Sequence, residues 1–452
     1  MEVFKHYTKF DNWERPLPRN RAFYSPTLDE YLDQTSTLII SDDLRRLYIN
    51  TFSNTLDTTA YVLTRSGAPY THIITGDIQA MWLRDSSAQV QHYLPLISKS
   101  PELTTLFRGL IRSHAECILK DPYANAFYEI EKFGVHAKDL THMLPGVHER
   151  KWELDSLIYP MDLALSYWAH TADTTPFDRT WRLSISLTVK TLLTQRRMHG
   201  HGAYYFDRVT DNPADTLSNS GIGPAYAPTG LIASSFRPSD DACKYPFNIP
   251  GNIYALHILK KILGLIQELE FFEPVNEIKQ IIESLASGLE KHSTVEHPEL
   301  GEVFAYEVDG LGNKLLLDDA NAPSLLSLPF LGALEVSDVK YQATRKLILS
   351  SANENFFSGK FGKGVGSSHT SRNMLWPIAL IMQAATATDK NEKLDCLRTL
   401  IDSSAGTGLL HESFNVDEIE DYTRPWFAWC NSLFGGLIAH IIHTDLELLD
   451  AI

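Results

Sequence analysis

Two adjacent carboxylates, Asp240 and Asp241, are the side chains of this chain best placed to do chemistry. They lie in Phe236-Arg237-Pro238-Ser239-Asp240-Asp241-Ala242-Cys243-Lys244-Tyr245, between an arginine and a lysine. Pro238, Pro246 and Pro250 fix φ and remove amide donors through the same stretch, so it reads as an ordered loop presenting acids and not as a helix interior. Neighbouring carboxylates crowd each other, and partial burial then holds a proton on one of them near neutral pH. A general acid is made in this way. The competing reading is a helix start, with Ser239 or Asp240 as cap and Asp241 solvated.

A further carboxylate, Glu412, lies in Gly406-Thr407-Gly408-Leu409-Leu410-His411-Glu412-Ser413-Phe414, where glycines give way to a His–Glu pair between bulky apolar residues. With Asp240 or Asp241 it supplies the acid and base that glycoside hydrolysis requires. Trp82, Arg84 and Asp85 combine a flat apolar face, a forked donor and an acceptor, a set that suits the C–H face and hydroxyls of a sugar. The alternative there is a core tryptophan beside a surface ion pair. Trp152, Glu153 and Asp155 pose the same choice, with Asp155 as a cap for the helix that follows.

Other chemistries are poorly supported. Seventeen histidines include His114, His142, His148, His369 and His411, but none shows HExxH or paired i, i+4 ligand spacing, so neither a metal nor a cofactor is expected. Gly362-Lys363-Gly364-Val365-Gly366 lacks the context of a phosphate loop and reads as a flexible connection.

These groups have to be positioned by helices. Ser41-Asp42-Asp43 ahead of Leu44, Leu47, Phe52, Leu56 and Val62 predicts an amphipathic helix with an acidic first turn. Helical periodicity recurs near 80–98, 101–119, 154–171, 177–198, 251–270, 274–291, 321–333, 337–351, 371–386, 389–403 and 424–443. Strand-like alternation is scarce: Val303 to Val308, followed by Gly310 and Gly312, predicts one hairpin in a connection. About a dozen helices are enough for a double ring of helical hairpins. The polar-aromatic clusters fall in every second connection, which in such a ring places them at one mouth. Residues 1–34 are expected to form an irregular arm packed on the body, and residues 35–452 a single catalytic domain.

Composition narrows the partners. Over 452 residues the formal net charge is −16 with no Lys/Arg-rich block, so nucleic acid is not expected. Cys117, Cys243, Cys396 and Cys430 are scattered without CxxC spacing and read as free buried thiols. The N-terminal residues lack a signal peptide's charged start and apolar run, and no apolar stretch is long enough for a bilayer. A soluble, cytoplasmic protein with no membrane partner is expected, its oligomeric state left open.

Six segments in order, TGDIQAMWLRDSSAQVQHYLPL (Thr75 to Leu96), WELDSLIYP (Trp152 to Pro160), FRPSDDA (Phe236 to Ala242), DDANAPSLLSLPFL (Asp318 to Leu331), SSHTSRNMLWP (Ser367 to Pro377) and GLLHESF (Gly408 to Phe414), resemble glycoside hydrolase family 125. The resemblance implies an all-α (α/α)6 barrel and an exo-acting, inverting α-1,6-mannosidase that needs no metal and takes α-mannoside oligosaccharides. It implies an acid at Asp240 or Asp241, with Asp240 preferred, and a base at Glu412. Arg84 and Asp85 would bind the terminal mannose beside Trp82, with Asp319, Asn321, His369, Trp426 and Asn431 as further pocket residues. An inverting pair stands about 6.5–9.5 Å apart, leaving room for water. Rival readings are another (α/α)6 activity, an exo-glucosidase or inverting phosphorylase, and a catalytically silent carbohydrate binder.

Overall fold

The structure is a computed structural model that describes residues 12–452; the first eleven residues of the expected arm lie outside the described residues. The described part is rich in helix, with six small sheets of two or three strands each. The helix ends follow from their capping residues. Ser25, Ser41 and Ser100 accept amides at the starts of α1 (Pro26–Ser36), α2 (Asp42–Thr58) and α4 (Pro101–Lys120). Asp178, Asn248, Asp338 and Asp389 do the same for α6 (Arg179–Gln195), α8 (Ile249–Glu268), α10 (Val339–Ile348) and α12 (Lys390–Ser403). The others are α3 (Leu83–Ala88), α5 (Asp155–Thr171), the short α7 (Ser218–Gly221), α9 (Val275–His292), α11 (Pro377–Ala385) and α13 (Ala428–Thr444).

The helices pack in a definite order. α5 lies against α3 and α8, and α13 lies against α2, α3 and α11. α4 packs on α6, α6 on α9, and α12 on α11. One apolar cluster runs through these contacts from Leu28 to Leu449, and removing that surface from water is the main drive holding the helices together.

Several expected elements come out differently, each for a local reason. Residues 26–34 of the arm expected to be irregular belong to α1, capped by Ser25 with Pro26 at its first position. The periodicity near 80–98 divides into α3 and a 3-10 stretch at Gln91–Lys99, which contains Pro95. Residues 321–333 form consecutive turns and not a helix. There the Asp318 carboxylate takes the amides of Leu325 and Leu326, while Ser324 and Ser327 bond to each other, so side chains replace the helical ladder. The 303–308 alternation belongs to two hairpins: Gly301–Phe304 pairs with Thr294–His297, and Glu307–Val308 pairs with Lys314–Leu315 across a turn holding Gly310 and Gly312. Glycines 362–366 are strand residues in part, since Gly362–Val365 pairs with Phe356–Gly359. All four cysteines are free and buried. Among the described residues no helix is long and apolar enough to cross a membrane.

Candidate active site

Three small sheets carry the polar clusters to one place. The first joins Met81–Trp82, Ala126–Phe127 and Val147–Glu149, which brings Trp82 and the start of α3 beside Asn125 and Glu149. The second joins Met374–Leu375, Ser413–Asn415 and Tyr422–Thr423, and so sets Glu412 against Thr423 and Arg424. The third pairs Phe247–Asn248 with Glu307–Val308, where Glu307 accepts from Arg237 Nε at 2.6 Å and from the amides of Lys244 and Tyr245. Glu307 thereby clamps both ends of the segment that holds the acidic pair.

That segment is a tight turn and not a helix start. The Asp240 amide donates to the Arg237 carbonyl, the Arg237 amide to that of Asp241, and Phe236 bridges Ala242. Asp240 has φ +67°, a left-handed conformation that aspartate tolerates better than most residues and that clusters at functional sites. The turn sends the two aspartates to different surroundings. Asp240 lines a cavity of about 220 Å³ together with Trp82, Arg84, Asp85, Asn321, His369 and Glu412. Asp241 is buried, accepting from Ser368 Oγ at 2.8 Å and from His369 Nδ1 at 2.9 Å.

Each wall of the cavity has its own electrostatics. Arg84 is buried and donates through Nη1 to Glu153 at 2.7 Å and to Asp155 at 3.0 Å, with Asp85 and Asp240 next nearest at 3.4 and 3.9 Å. Burial disfavours its charge, but these carboxylates outweigh burial and hold it firmly protonated. The Asp155 carboxylate is therefore spent on Arg84, and among the described residues no side chain caps the start of α5. Asp85 accepts from Thr75 Oγ1 at 2.6 Å, and burial pushes its pKa up. His369 is pushed up to about 9: burial opposes its charge, but the hydrogen bond to Asp241 and the charges of Asp241, Glu412 and Asp240 prevail. It is cationic at neutral pH. Glu412 accepts from Thr423 Oγ1 at 3.0 Å and from Arg424 Nη1 at 3.4 Å. Arg424 is itself anchored by Asp77 through Nε at 2.8 Å.

The other expected pocket residues divide. Asn321 lines the cavity, and Asp319 sits behind it, accepting from the Asn321 side chain and from Ser367 Oγ. Trp426 does not line this cavity; it is buried in an apolar cluster with Trp13, Leu409 and Ala428. Asn431 does not line it either: its side chain takes the Leu410 amide and donates to the carbonyls of Leu410 and Phe427, holding the segment that leads to Glu412. The aromatic walls come instead from Trp376, Phe427 and Trp429. Trp376 lies within the quoted segment ending at Pro377, but nothing in the spacing separates Trp429 from Trp426. A larger cavity of about 680 Å³ lies between the Phe356–Val365 hairpin and α12. Three of its carboxylates have structural partners, since Asp389 caps α12, Glu392 bonds Arg345, and Asp395 pairs with Arg398.

Comparisons with known proteins give the chain's relatives. A family model described as metal-independent alpha-mannosidase (GH125) matches residues 41–439. The Meiotically up-regulated gene 157 protein of Schizosaccharomyces pombe is 37% identical over 456 aligned residues, covering 97% of this chain and 90% of that protein. A Streptococcus pneumoniae metal-independent α-mannosidase, solved in a non-productive substrate complex with α-1,6-mannobiose, is also 37% identical. The match covers 94% of this chain and 100% of that one, with a TM-score of 0.89. A Bacillus rhamnosidase of family GH78 is 11% identical with a TM-score of 0.52, covering 88% of this chain and 34% of that one, a likeness of fold alone.

Proposed function

The chain belongs to the metal-independent α-mannosidase family GH125, and from that premise we propose that it removes terminal α-1,6-linked mannose from oligosaccharides by a single, inverting displacement. The observation that carries the proposal is that Asp240 and Glu412, from distant parts of the chain, line one small cavity. Its volume of about 220 Å³ is below the roughly 300–1,000 Å³ of pockets for drug-sized ligands, which suits one sugar ring and so exo action. Asp240 protonates the glycosidic oxygen. Glu412, steadied by Thr423 and Arg424, takes a proton from the attacking water.

The binding assignments follow from the same wall. Asp85 and Asn321 accept and donate to sugar hydroxyls, and Trp82, Trp376 and Trp429 offer apolar faces to its C–H groups. Trp82 Nε1 and Asp85 Oδ2 are buried without a hydrogen-bond partner among the described residues, a donor and an acceptor suited to a polyhydroxylated ligand. Asp241 is a positioning residue that keeps His369 charged and oriented.

We further propose that residues 35–452 are one catalytic domain folded as an (α/α)6 barrel. Support comes from the packing order: α3, α5 and α8 are successive neighbours, as are α11, α13 and α3, which leaves the turns at 321–333 for the sixth inner place. α2, α4, α6, α9, α10 and α12 would form the outer layer.

Proton NMR of the purified protein acting on α-1,6-mannobiose, with a chelator present, tests the proposal. β-Mannose appearing first is expected. α-Mannose appearing first would overturn the inverting mechanism, and no hydrolysis would overturn the substrate.

A further inference from the structure

We infer that Glu153 is a positioning residue that stores the proton Asp240 donates: the proton rests on Glu153 in the free enzyme and crosses to Asp240 when a sugar fills the cavity. This inference rests on the reading of Asp240 as the general acid.

The geometry points to a shared proton. Glu153 and Asp240 both stand against Asn125 Nδ2 and against Arg84, with Arg84 Nη1 2.7 Å from Glu153 and Nη2 3.9 Å from Asp240, so two carboxyls share the same two donors. Asn125 Nδ2 stands 3.1 Å from Glu149, 3.3 Å from Glu153 and 3.1 Å from Asp240, three carboxyls for an amide nitrogen with two hydrogens. Three negative charges around one neutral donor are costly in a buried site, and holding a proton removes one of them.

The resting place of that proton follows from burial. The Glu153 side chain is fully enclosed, whereas a quarter of the Asp240 side chain is exposed, at 25%. Facing the pair are Arg84 on α3, Asp155 at the start of α5, His148, Glu149 and Lys151 on the strand and segment before α5, and His369 from the far wall. Burial pushes Glu153 well up, and the Asp240 and Asp155 charges add to it despite Arg84. Burial works in the same sense on Asp240, but the Glu153 hydrogen bond and the charges of Lys151, Arg84 and His369 prevail and lower it. Full enclosure of Glu153 against the open face of Asp240 places the proton on Glu153 in the free site, where water solvates the Asp240 anion.

A sugar changes this balance at Asp240 alone. It displaces water from the open face of Asp240, which favours the neutral carboxyl there. Glu153 keeps its bonds from Arg84 Nη1 at 2.7 Å and Ser156 Oγ at 2.8 Å, both of which favour its anion. The proton leaves Glu153 for Asp240, Asp240 passes it to the glycosidic oxygen as the C–O bond breaks, and Glu412 takes one from the attacking water. Glu412 then loses its proton to solvent, and solvent reprotonates the Glu153–Asp240 pair, which closes the cycle.

Glu153→Gln tests this, because a glutamine amide donates to Asp240 permanently and fixes it as the anion. Two substrates are compared: α-1,6-mannobiose, whose leaving group needs protonation, and an aryl α-mannoside with an acidic phenol, which does not. We expect mannobiose turnover to fall at least about tenfold further than aryl mannoside turnover, and the alkaline limb of kcat/KM on mannobiose to move to lower pH. Equal losses on both substrates with an unmoved limb would make Glu153 merely structural and overturn the inference, as would wild-type behaviour. Glu153→Asp, which withdraws the carboxyl by one methylene, is expected to show the same discrimination in smaller degree and serves if the glutamine variant does not fold. Asp240→Asn separates the two levels. If it discriminates between the substrates and the Glu153 variants do not, this inference alone falls; if wild type cleaves neither substrate, the hydrolase reading falls with it.

Discussion

Asp241 and His369 form a hydrogen-bonded ion pair, Oδ1 to Nδ1 at 2.9 Å, that turns Asp241 away from the cavity its neighbour Asp240 lines. Two adjacent aspartates therefore differ in what their loss does. Asp240→Asn is expected to lower turnover of α-1,6-mannobiose by about 10²–10⁴-fold, the usual worth of a general acid. Asp241→Asn is expected to raise KM more than it lowers kcat, because it frees His369 without removing the acid. Steady-state kinetics of both variants check this, and the reverse pattern would exchange their roles.

Glu412→Gln keeps the shape of the side chain and its contact with Thr423 but cannot accept the water proton. Turnover is expected to fall by about 10²–10⁴-fold while mannoside binding changes little. Calorimetric titration alongside a turnover assay reads both quantities. Wild-type turnover in this variant would remove Glu412 from the base role.

The raised His369 pKa makes a stability prediction with a definite sign. Its ordinary value is 6.5 and its folded value about 9, so the charged form is favoured by folding. The contribution is fully present below pH 6.5 and is lost as pH rises through about 9. The melting temperature of wild type should therefore exceed that of His369→Gln by a margin that shrinks between those two pH values. A margin that grows with pH would mean that His369 is neutral in the folded protein.

How far the site was legible depends on whether a residue acts through its own segment or through a distant one. Glu412, Trp82 and the acidic pair stand out because charged and aromatic residues crowd a short stretch. Glu153 stands in such a stretch with Trp152 and Asp155, but its tie to Arg84 and Asp240 is not visible there, because they lie 69 positions before it and 87 after it. Trp426 and Trp429 are alike in sequence, but α13 begins at Ala428, which leaves Trp426 in an apolar cluster and carries Trp429 to the cavity. Periodicity found most of the helices and failed at 321–333, where Asp318 and two serines capture amides that a helix would use. The strands that carry Trp82 and flank Glu412 escaped detection because two- and three-residue strands show no alternation.

Arg84 joins the site's chemistry to the stability of the fold. It is enclosed with Glu153 and Asp155, and its removal strands the buried Asp155 charge and takes a donor from Glu153. Arg84→Ala is expected to cost about 3–5 kcal/mol in unfolding free energy, beyond any loss of activity. Arg84→Lys keeps a charge but gives up the fork, and one ammonium cannot reproduce the two bonds from Nη1 while Nε stays near Asp85. It should recover part of the stability and little of the turnover. Urea unfolding of the two variants with kinetics on the same samples measures both effects. If Arg84→Ala were as stable as wild type, Asp155 would have to be neutral in its absence, and the carboxylates of this wall would not need the guanidinium to fold.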